Sequence, residues 1–394
     1  LTILLAWANL KVKSKKCCKF ISKKDRINSL LLLFFTRKEV TVDIKRSYYE
    51  DIELFKSKTV LISSLIFLAF LIFLPWIVAK THLLGISIYL LNLIIIHCIV
   101  TIGLNILVGY TGQISLGHAG FFAIGAFTTV MFITKLGIPF VLALPMAAFI
   151  CAGFGFLLGL PSLRLEGPYL AIATMGFGMA TTTTIKHMEL FGGRMGMQAP
   201  KLYLWDTPLK DFHYYYLILF IGILLTIAAI KLFKTKVGRA FIAIRDSDVA
   251  AQTMGVNLSY YKTLSFAVSA FYTGIAGGLY AFILGFINPE GFHIIMSITF
   301  LAMVVVGGVG SIMGSIAGAA LMTYLDVKLQ AIQDIPGLGA WLVSFSEKYM
   351  SMGGISNVAI IVYGLIMIFI VIFEPLGIFG IWLRIKKYWK TYPF

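Results

Sequence analysis

Runs of about twenty apolar residues follow one another almost end to end from residue 59 to residue 373, and they constrain this chain more than any other feature. A helix needs about 20 predominantly apolar residues to cross a hydrocarbon core of roughly 30 Å. Lipid leaves backbone N–H and C=O groups nothing to bond, so a spanning segment must be a helix or part of a closed barrel. Long unbroken runs without alternation favour helices. Composition agrees: 59% of the 394 residues are hydrophobic and 13% charged, against about a quarter charged in soluble domains. The expected fold is therefore an all-α polytopic integral membrane protein.

About ten transmembrane or re-entrant helices are expected, over 59–79, 83–107, 112–134, 139–160, 169–185, 213–232, 263–287, 292–306, 312–329 and 355–373. The chain divides into a basic tail, 1–58, a transmembrane domain, 59–375, and a basic C-terminal tail, 376–394. The tail 1–58 opens on Leu1, carries a basic run over 11–24, and has an apolar stretch over 30–35 too short to span. It reads as a poorly ordered cytoplasmic tail, one that translation from upstream of the natural start could add, or as a segment lying on an anionic membrane surface. It does not read as a signal peptide.

The formal net charge of +16 raises the question of a nucleic-acid partner, and its distribution argues for no nucleic acid. Residues 1–58 hold 14 Lys/Arg against 6 Asp/Glu, a balance of +8. With that tail inside, six spans return the chain inside at 234–262, where Lys234, Lys236, Arg239, Arg245 and Lys262 lie. Four more spans place Arg384, Lys386, Lys387 and Lys390 on the same side. Basic loops mark the cytoplasmic face, so both termini are expected in the cytoplasm.

No catalytic set stands out. Six histidines (His82, His97, His118, His187, His213 and His293) are scattered, and Cys17, Cys18, Cys98 and Cys151 have no metal or disulfide spacing. The chain has no Gly-Lys dipeptide, which a P-loop requires. No enzyme activity and no bound cofactor or metal are expected of this chain. His118, an ionisable group in an apolar stretch, reads either as a pathway residue or as a histidine that bonds a neighbouring helix and holds a bend. Arg164 and Glu166 sit in a short turn, as an ion pair, a partner contact or a solvated loop.

Glycine spacing adds packing information. Gly155 and Gly159, Gly274 and Gly278, and Gly310, Gly314 and Gly318 recur every fourth residue, the pattern that lets helices approach closely in lipid. The run Gly307-Gly308-Val309-Gly310-Ser311 reads as a tight reversal or a broken helix. A broken helix is tolerated only where it is buried in protein or lines a cavity.

The one sizeable polar segment between long apolar runs is 238–257. Asp246 or Ser247 can cap a helix beginning near Asp248, and Gly255 is placed to end it. A helix of about two turns is marginal alone, so it needs something to dock into. Val249, Thr253 and Met254 fall on one face, and Ala250 and Ala251 form a small side open to close approach. The plain alternative is a loop helix resting on its own membrane surface.

At these residues the chain resembles ABC importer permeases, whose cytoplasmic pattern Glu-Ala-Ala-x-x-x-Gly marks a coupling helix. Here Ala250, Ala251 and Gly255 match, while Val249 stands in place of the Glu, with Asp248 one residue earlier. Three further runs, 105–120, 163–178 and 285–318, resemble the branched-chain amino-acid permease family, and the likeness covers about 85–375. The resemblance implies a permease subunit of an ATP-driven importer for branched-chain amino acids, with no covalent chemistry of its own. It implies a homologous second permease chain, two cytoplasmic ATPase subunits that carry ATP and Mg, and a periplasmic substrate-binding protein. It points to a coupling helix over 246–255, with Arg245, Asp246, Asp248, Val249, Ala250, Ala251 and Gly255 as its coupling residues. It also points to Gly117, His118, Gly120, Tyr169, Thr174, Gly307, Gly308 and Gly310 as pathway or broken-helix residues. A permease for urea or short amides, an ion-coupled secondary transporter and a purely structural subunit are the other readings. The second would want intramembrane acidic residues, and Asp326 near a span end comes closest.

Overall fold

Backbone self-sufficiency is the rule that this fold follows. In the computed structural model, described for residues 58–81, 87–165, 167–204, 207–208, 211–331, 364–365, 367–369, 372–374 and 377–391, helices dominate. In chain order they are α1 (Lys58–Thr81), α2 (Ile88–Thr111), α3 (His118–Leu136), α4 (Phe140–Gly159), α5 (Pro168–His187) and α6 (Asp211–Lys234). They continue with α7 (Lys236–Asp246), α8 (Asp248–Thr253), α9 (Leu258–Leu284), α10 (Ile294–Gly307), α11 (Ile312–Ala331) and α12 (Gly377–Thr391). The tail before Lys58, Glu166 and most of the expected span 355–373 lie outside the described residues.

Among the described residues, five helices are long and apolar enough to cross a membrane: α2, α3, α4 with the turn that follows it, α6 and α9. The surface fits a lipid solvent. Phe67 and Phe73 on α1, Val141 and Phe149 on α4, and Phe220 and Leu224 on α6 all point outward. A water-facing surface of that kind would be an exposed apolar patch far beyond the usual size.

Among the described helices α9 is the longest, 27 residues and about 40 Å at 1.5 Å per residue. It packs against α2, α3 and α4, and glycines permit the approach. A Cβ at Gly274 would sit 2.7 Å from the Cys151 sulfur, and one at Gly278 2.5 Å from Leu144. Gly155 and Gly159 of α4 meet Ala270, Phe266 and Thr263 of α9 in the same way. These small-residue spacings therefore serve helix contacts inside the chain.

One expectation about a backbone break needs adjusting, and another is narrowed. The third span does not begin at Gly112. Gly112, at φ 71°, closes α2 in the left-handed region, and α3 begins only at His118. Residues 112–117 enter the bundle without regular structure. Of the two forms offered for Gly307–Ser311, the structure takes the tight reversal. Gly307 packs against Gly314 and Gly318, so α10 and α11 run back along each other as a hairpin. Gly308 (φ 124°) and Gly310 (φ 79°) make the turn, in conformations that side chains rarely adopt.

The two ends of the bundle differ. At one end, the elbow end, α7 and α8 follow the close of α6, next to the last turn of α2 and the start of α9. At the far end, Met197 and Gln198 pair antiparallel with Ile287 and Phe286, and Lys186 bridges to Glu290 at 2.6 Å.

Candidate functional site

The elbow is built by short-range rules. Helix α7 buries Gly238, Ala240, Phe241 and Ile244, a spacing of three to four residues that gives one apolar stripe. Ser247, in extended backbone, breaks the helix, and its hydroxyl accepts the Ala250 N–H at 3.2 Å. That bond satisfies one of the orphan donors at the start of α8. Gly255, at φ 83°, ends the turn, and Val256 N–H donates to the Ala251 carbonyl at 3.0 Å. Asp248 Oδ2 lies 2.5 Å from Lys262 Nζ near the start of α9. Arg245 donates through Nε and Nη2 to Asp246 Oδ1 at 3.1 and 2.9 Å, and through Nη1 to the Gly109 carbonyl at 3.3 Å.

What α8 offers outward differs from the expectation at one residue. Val249 is 74% exposed and Met254 84% exposed, and Ala250, Gln252 and Thr253 are exposed as well. Ala251 is only 3% exposed, although its neighbour Ala250 and the small side they share suggest a surface open to a partner. Asp248 and Ala251 are three apart and share a face, and the Asp248–Lys262 pair holds that face against this chain. The small residue at 251 therefore serves packing within the protein, and the outward surface is Val249, Ala250, Gln252, Thr253 and Met254.

The second assembly lies deep in the bundle. His118 is fully buried. Its Nε2 lies 2.7 Å from Ser269 Oγ and its Nδ1 3.1 Å from Ser115 Oγ. Serine hydroxyls both donate and accept, so either ring tautomer finds its complement. Ser269 is about 16 Å along α9 from Leu258, at 1.5 Å per residue. His118 thus sits near mid-depth rather than at the mouth of its span. The irregular backbone around it is supplied with partners: Leu116 N–H donates to Thr174 Oγ1 at 2.9 Å and Ala119 N–H to Ser297 Oγ at 2.8 Å. Buried polar partners of this kind let lipid tolerate such a break.

Glycines bring α5 against this break. A Cβ at Gly117 would run into the Thr174 carbonyl, and one at Gly120 would come 2.9 Å from the Gly178 Cα. Beside the crossing lies a cleft of about 210 Å³, walled by Leu116 and Ala119, by Met175 and Met179 of α5, by Phe292 just before α10 and by Ser297 in its first turn.

The structure thus gathers Gly117, His118, Gly120 and Thr174 at one place. Tyr169 is apart from them, 71% exposed on the first turn of α5. Gly307, Gly308 and Gly310 are at the α10–α11 reversal. Gly310 N–H donates to Asn105 Oδ1 at 2.8 Å, which sets it near the elbow's Arg245 rather than near the cleft. Sequence reasoning misses Asn105, Ser269, Ser297 and the pairing role of Lys262. Polar residues inside apolar runs are the available signal. Arg164 is exposed, and among the described residues no group of three or more His, Cys, Asp or Glu side chains could hold a metal ion.

A helical bundle with an apolar exterior, a bonded backbone break at mid-depth and a cleft beside it is the architecture of a polytopic membrane permease. The family described as "Branched-chain amino acid transport system / permease component" matches residues 86–371, and the chain belongs to it. It is 35% identical over 262 residues to the high-affinity branched-chain amino acid transport system permease protein LivM of Salmonella typhimurium, covering 60% of this chain and 62% of that protein. The corresponding protein of Escherichia coli is 36% identical over 257 residues, covering 59% and 60%. The match spans about three fifths of the length of each of these relatives. A weaker likeness, 29% over 138 residues and 34% of this chain and 37% of the other, is to the autoinducer 2 import system permease protein LsrC of Yersinia enterocolitica. No solved structure matches the chain.

Proposed function

We propose that this chain is the membrane-spanning permease subunit of an ATP-driven importer for branched-chain amino acids. The observation that carries the reading is the family match over residues 86–371. The elbow supports it: α8, with Met254 just after it, turns Val249 and Met254 outward on a helix too short to stand alone. A pair of cytoplasmic ATPase subunits, carrying ATP and Mg, would supply the socket, with α8 as the coupling helix. The elbow end then faces the cytoplasm, which agrees with its basic residues, and the chain resides in the bacterial inner membrane with both termini inside. A homologous permease chain would complete the pathway, and a periplasmic binding protein would deliver the amino acid at the far end.

The cleft beside Gly117 and Thr174 is the segment of substrate path that this chain would contribute. Its walls are mostly apolar, with adaptable methionines, which suits an aliphatic side chain. His118 and Gly120 would hold the break that shapes it, while Tyr169 lies on the exposed face of α5 that a second permease chain would cover. The Gly307–Gly310 reversal would hold α10 and α11 together. The experiment is uptake of labelled leucine and labelled urea into vesicles carrying the full complex, with and without ATP and with and without an ion gradient. ATP-dependent leucine uptake is expected. Urea uptake would move the substrate to short amides, and uptake on a gradient without ATP would sink the importer reading.

A further inference from the structure

Two four-residue stripes face each other along α2 and α11. On α2 they are His97, Thr101, Asn105 and Gly109, and opposite them Ser311, just before α11, with Ser315, Ala319 and Thr323 on it. Residues four apart lie on one helix face, and the hydrogen bonds follow that register. His97 Nδ1 is 2.8 Å from Thr323 Oγ1, and Thr101 Oγ1 donates to the Ser315 carbonyl at 3.3 Å. Asn105 Nδ2 donates to the Ser311 carbonyl at 3.0 Å and to Ser315 Oγ at 2.7 Å, while its Oδ1 accepts the Gly310 N–H at 2.8 Å. The seam thus runs to the α10–α11 reversal, with the buried Ala319 among its polar members.

Arg245 continues that seam onto the elbow. Its Nη1 donates to the Gly109 carbonyl, the next position of the α2 stripe. That carbonyl is in the last turn of α2, where carbonyls lack intrahelical partners and a cation is favoured. A Cβ at Gly310 would lie 3.3 Å from the same Nη1, and one at Gly112 3.5 Å from Arg245 Cγ. Asp246 Oδ1 grips the guanidinium from its other side by two bonds. The planar fork of arginine allows this double engagement, which a lysine ammonium reproduces only in part.

We propose that Arg245 is a positioning residue that ties the α7–α8 elbow to the Gly109–Gly310 junction, so that α2 and α11 move as one body with the elbow. The inference rests on the importer reading and adds the route by which a push on α8 reaches the membrane core. Packed elements joined by hydrogen bonds shift as rigid units rather than deforming continuously. Without Arg245, α8 still meets its partner, but its displacement is no longer passed on to α2 and α11.

The test is the ratio of leucine taken up to ATP hydrolysed, measured on the same proteoliposomes containing the whole complex. Arg245→Met is expected to lower this ratio about tenfold, within the usual range of coupling between sites, with hydrolysis continuing. Arg245→Lys should recover at least half of the ratio on a logarithmic scale. Asp246→Ala, at an exposed position that folding tolerates, should give an intermediate loss by freeing the guanidinium. Uptake and hydrolysis falling in parallel, an unchanged ratio in both Arg245→Met and Asp246→Ala, or no recovery with lysine would each overturn the proposal. Absence of ATP-driven uptake by the wild-type complex would sink the importer reading and this inference with it. An unchanged ratio in the variants of an active complex would sink this inference alone.

Discussion

The break at residues 112–117 and the elbow at 247–256 are both short departures from long helices, yet they solve opposite problems. At the break, polar groups are buried and committed: Ser115, His118, Thr174, Ser269 and Ser297 bond one another or the backbone. At the elbow, local caps close the backbone, and the side chains of Val249 and Met254 are left facing outward. The contrast teaches where a substitution harms the fold and where it can harm only a partnership. A buried network makes each member expensive to remove, whereas an exposed apolar side chain contributes little to the chain that carries it.

That contrast can be broken most directly at Gly117. Gly117→Val would drive a branched side chain into the Thr174 carbonyl, and backbone cannot yield as a flexible side chain can. A loss of about 3 kcal/mol is expected, seen as a large drop in the thermal midpoint of the purified protein; an unchanged midpoint would mean that α5 is not held there. His118→Ala comes next. It strips partners from Ser115 and Ser269, at a cost of about 1–3 kcal/mol, read by the same unfolding measurement. Asp248→Asn stands between the two regions, since it leaves the Lys262 ammonium, only 10% exposed, without its carboxylate. We expect about 1–2 kcal/mol, a buried-pair cost discounted for the exposed side.

At the elbow the sign of the comparison reverses. Val249→Asp should change stability by no more than about 0.5 kcal/mol while reducing co-purification of ATPase subunits severalfold. A Val249→Asp protein that unfolds early would show that α8 packs on its own chain more than its exposure indicates. Ala251→Arg is a poorer probe, because the buried Ala251 makes folding and docking fail together. The smallest effect belongs to the far end. Lys186 hydrogen-bonds Glu290 and holds its carboxyl below the ordinary range. A lowered folded pKa gives a contribution present above the ordinary carboxylate value and lost as pH falls through the lowered one. With Glu290 exposed, Lys186→Ala should leave the thermal midpoint at pH 7 unchanged and flatten its fall on the acid side.

Much of this architecture is legible in the amino-acid sequence alone. Nine of the ten expected spans correspond to described helices, because a run of twenty apolar residues has few other fates in lipid. The cap at Ser247 and the stop at Gly255 follow from side chains a few residues apart, and such local rules carry over into the fold. The candidate site is partly legible: Gly117, His118, Gly120 and Thr174 stand out in the sequence, and they do converge. Their partners Ser269 and Ser297 do not stand out, since each lies more than a hundred residues from the group that it bonds. Asn105 reads as one polar residue in an apolar run, although the spacing 97, 101, 105, 109 marks a helix face.

The sequence by itself determined the class of the protein, the course of its helices and the presence of a polar elbow, because hydropathy, charge and capping act over a few residues. Tertiary structure alone decided that α3 starts at mid-depth, that Ala251 turns inward and that Arg245 reaches the Gly109 carbonyl. Those outcomes depend on which helix lies beside which, and a buried polar group takes its partner from whatever the packing brings within about 3 Å.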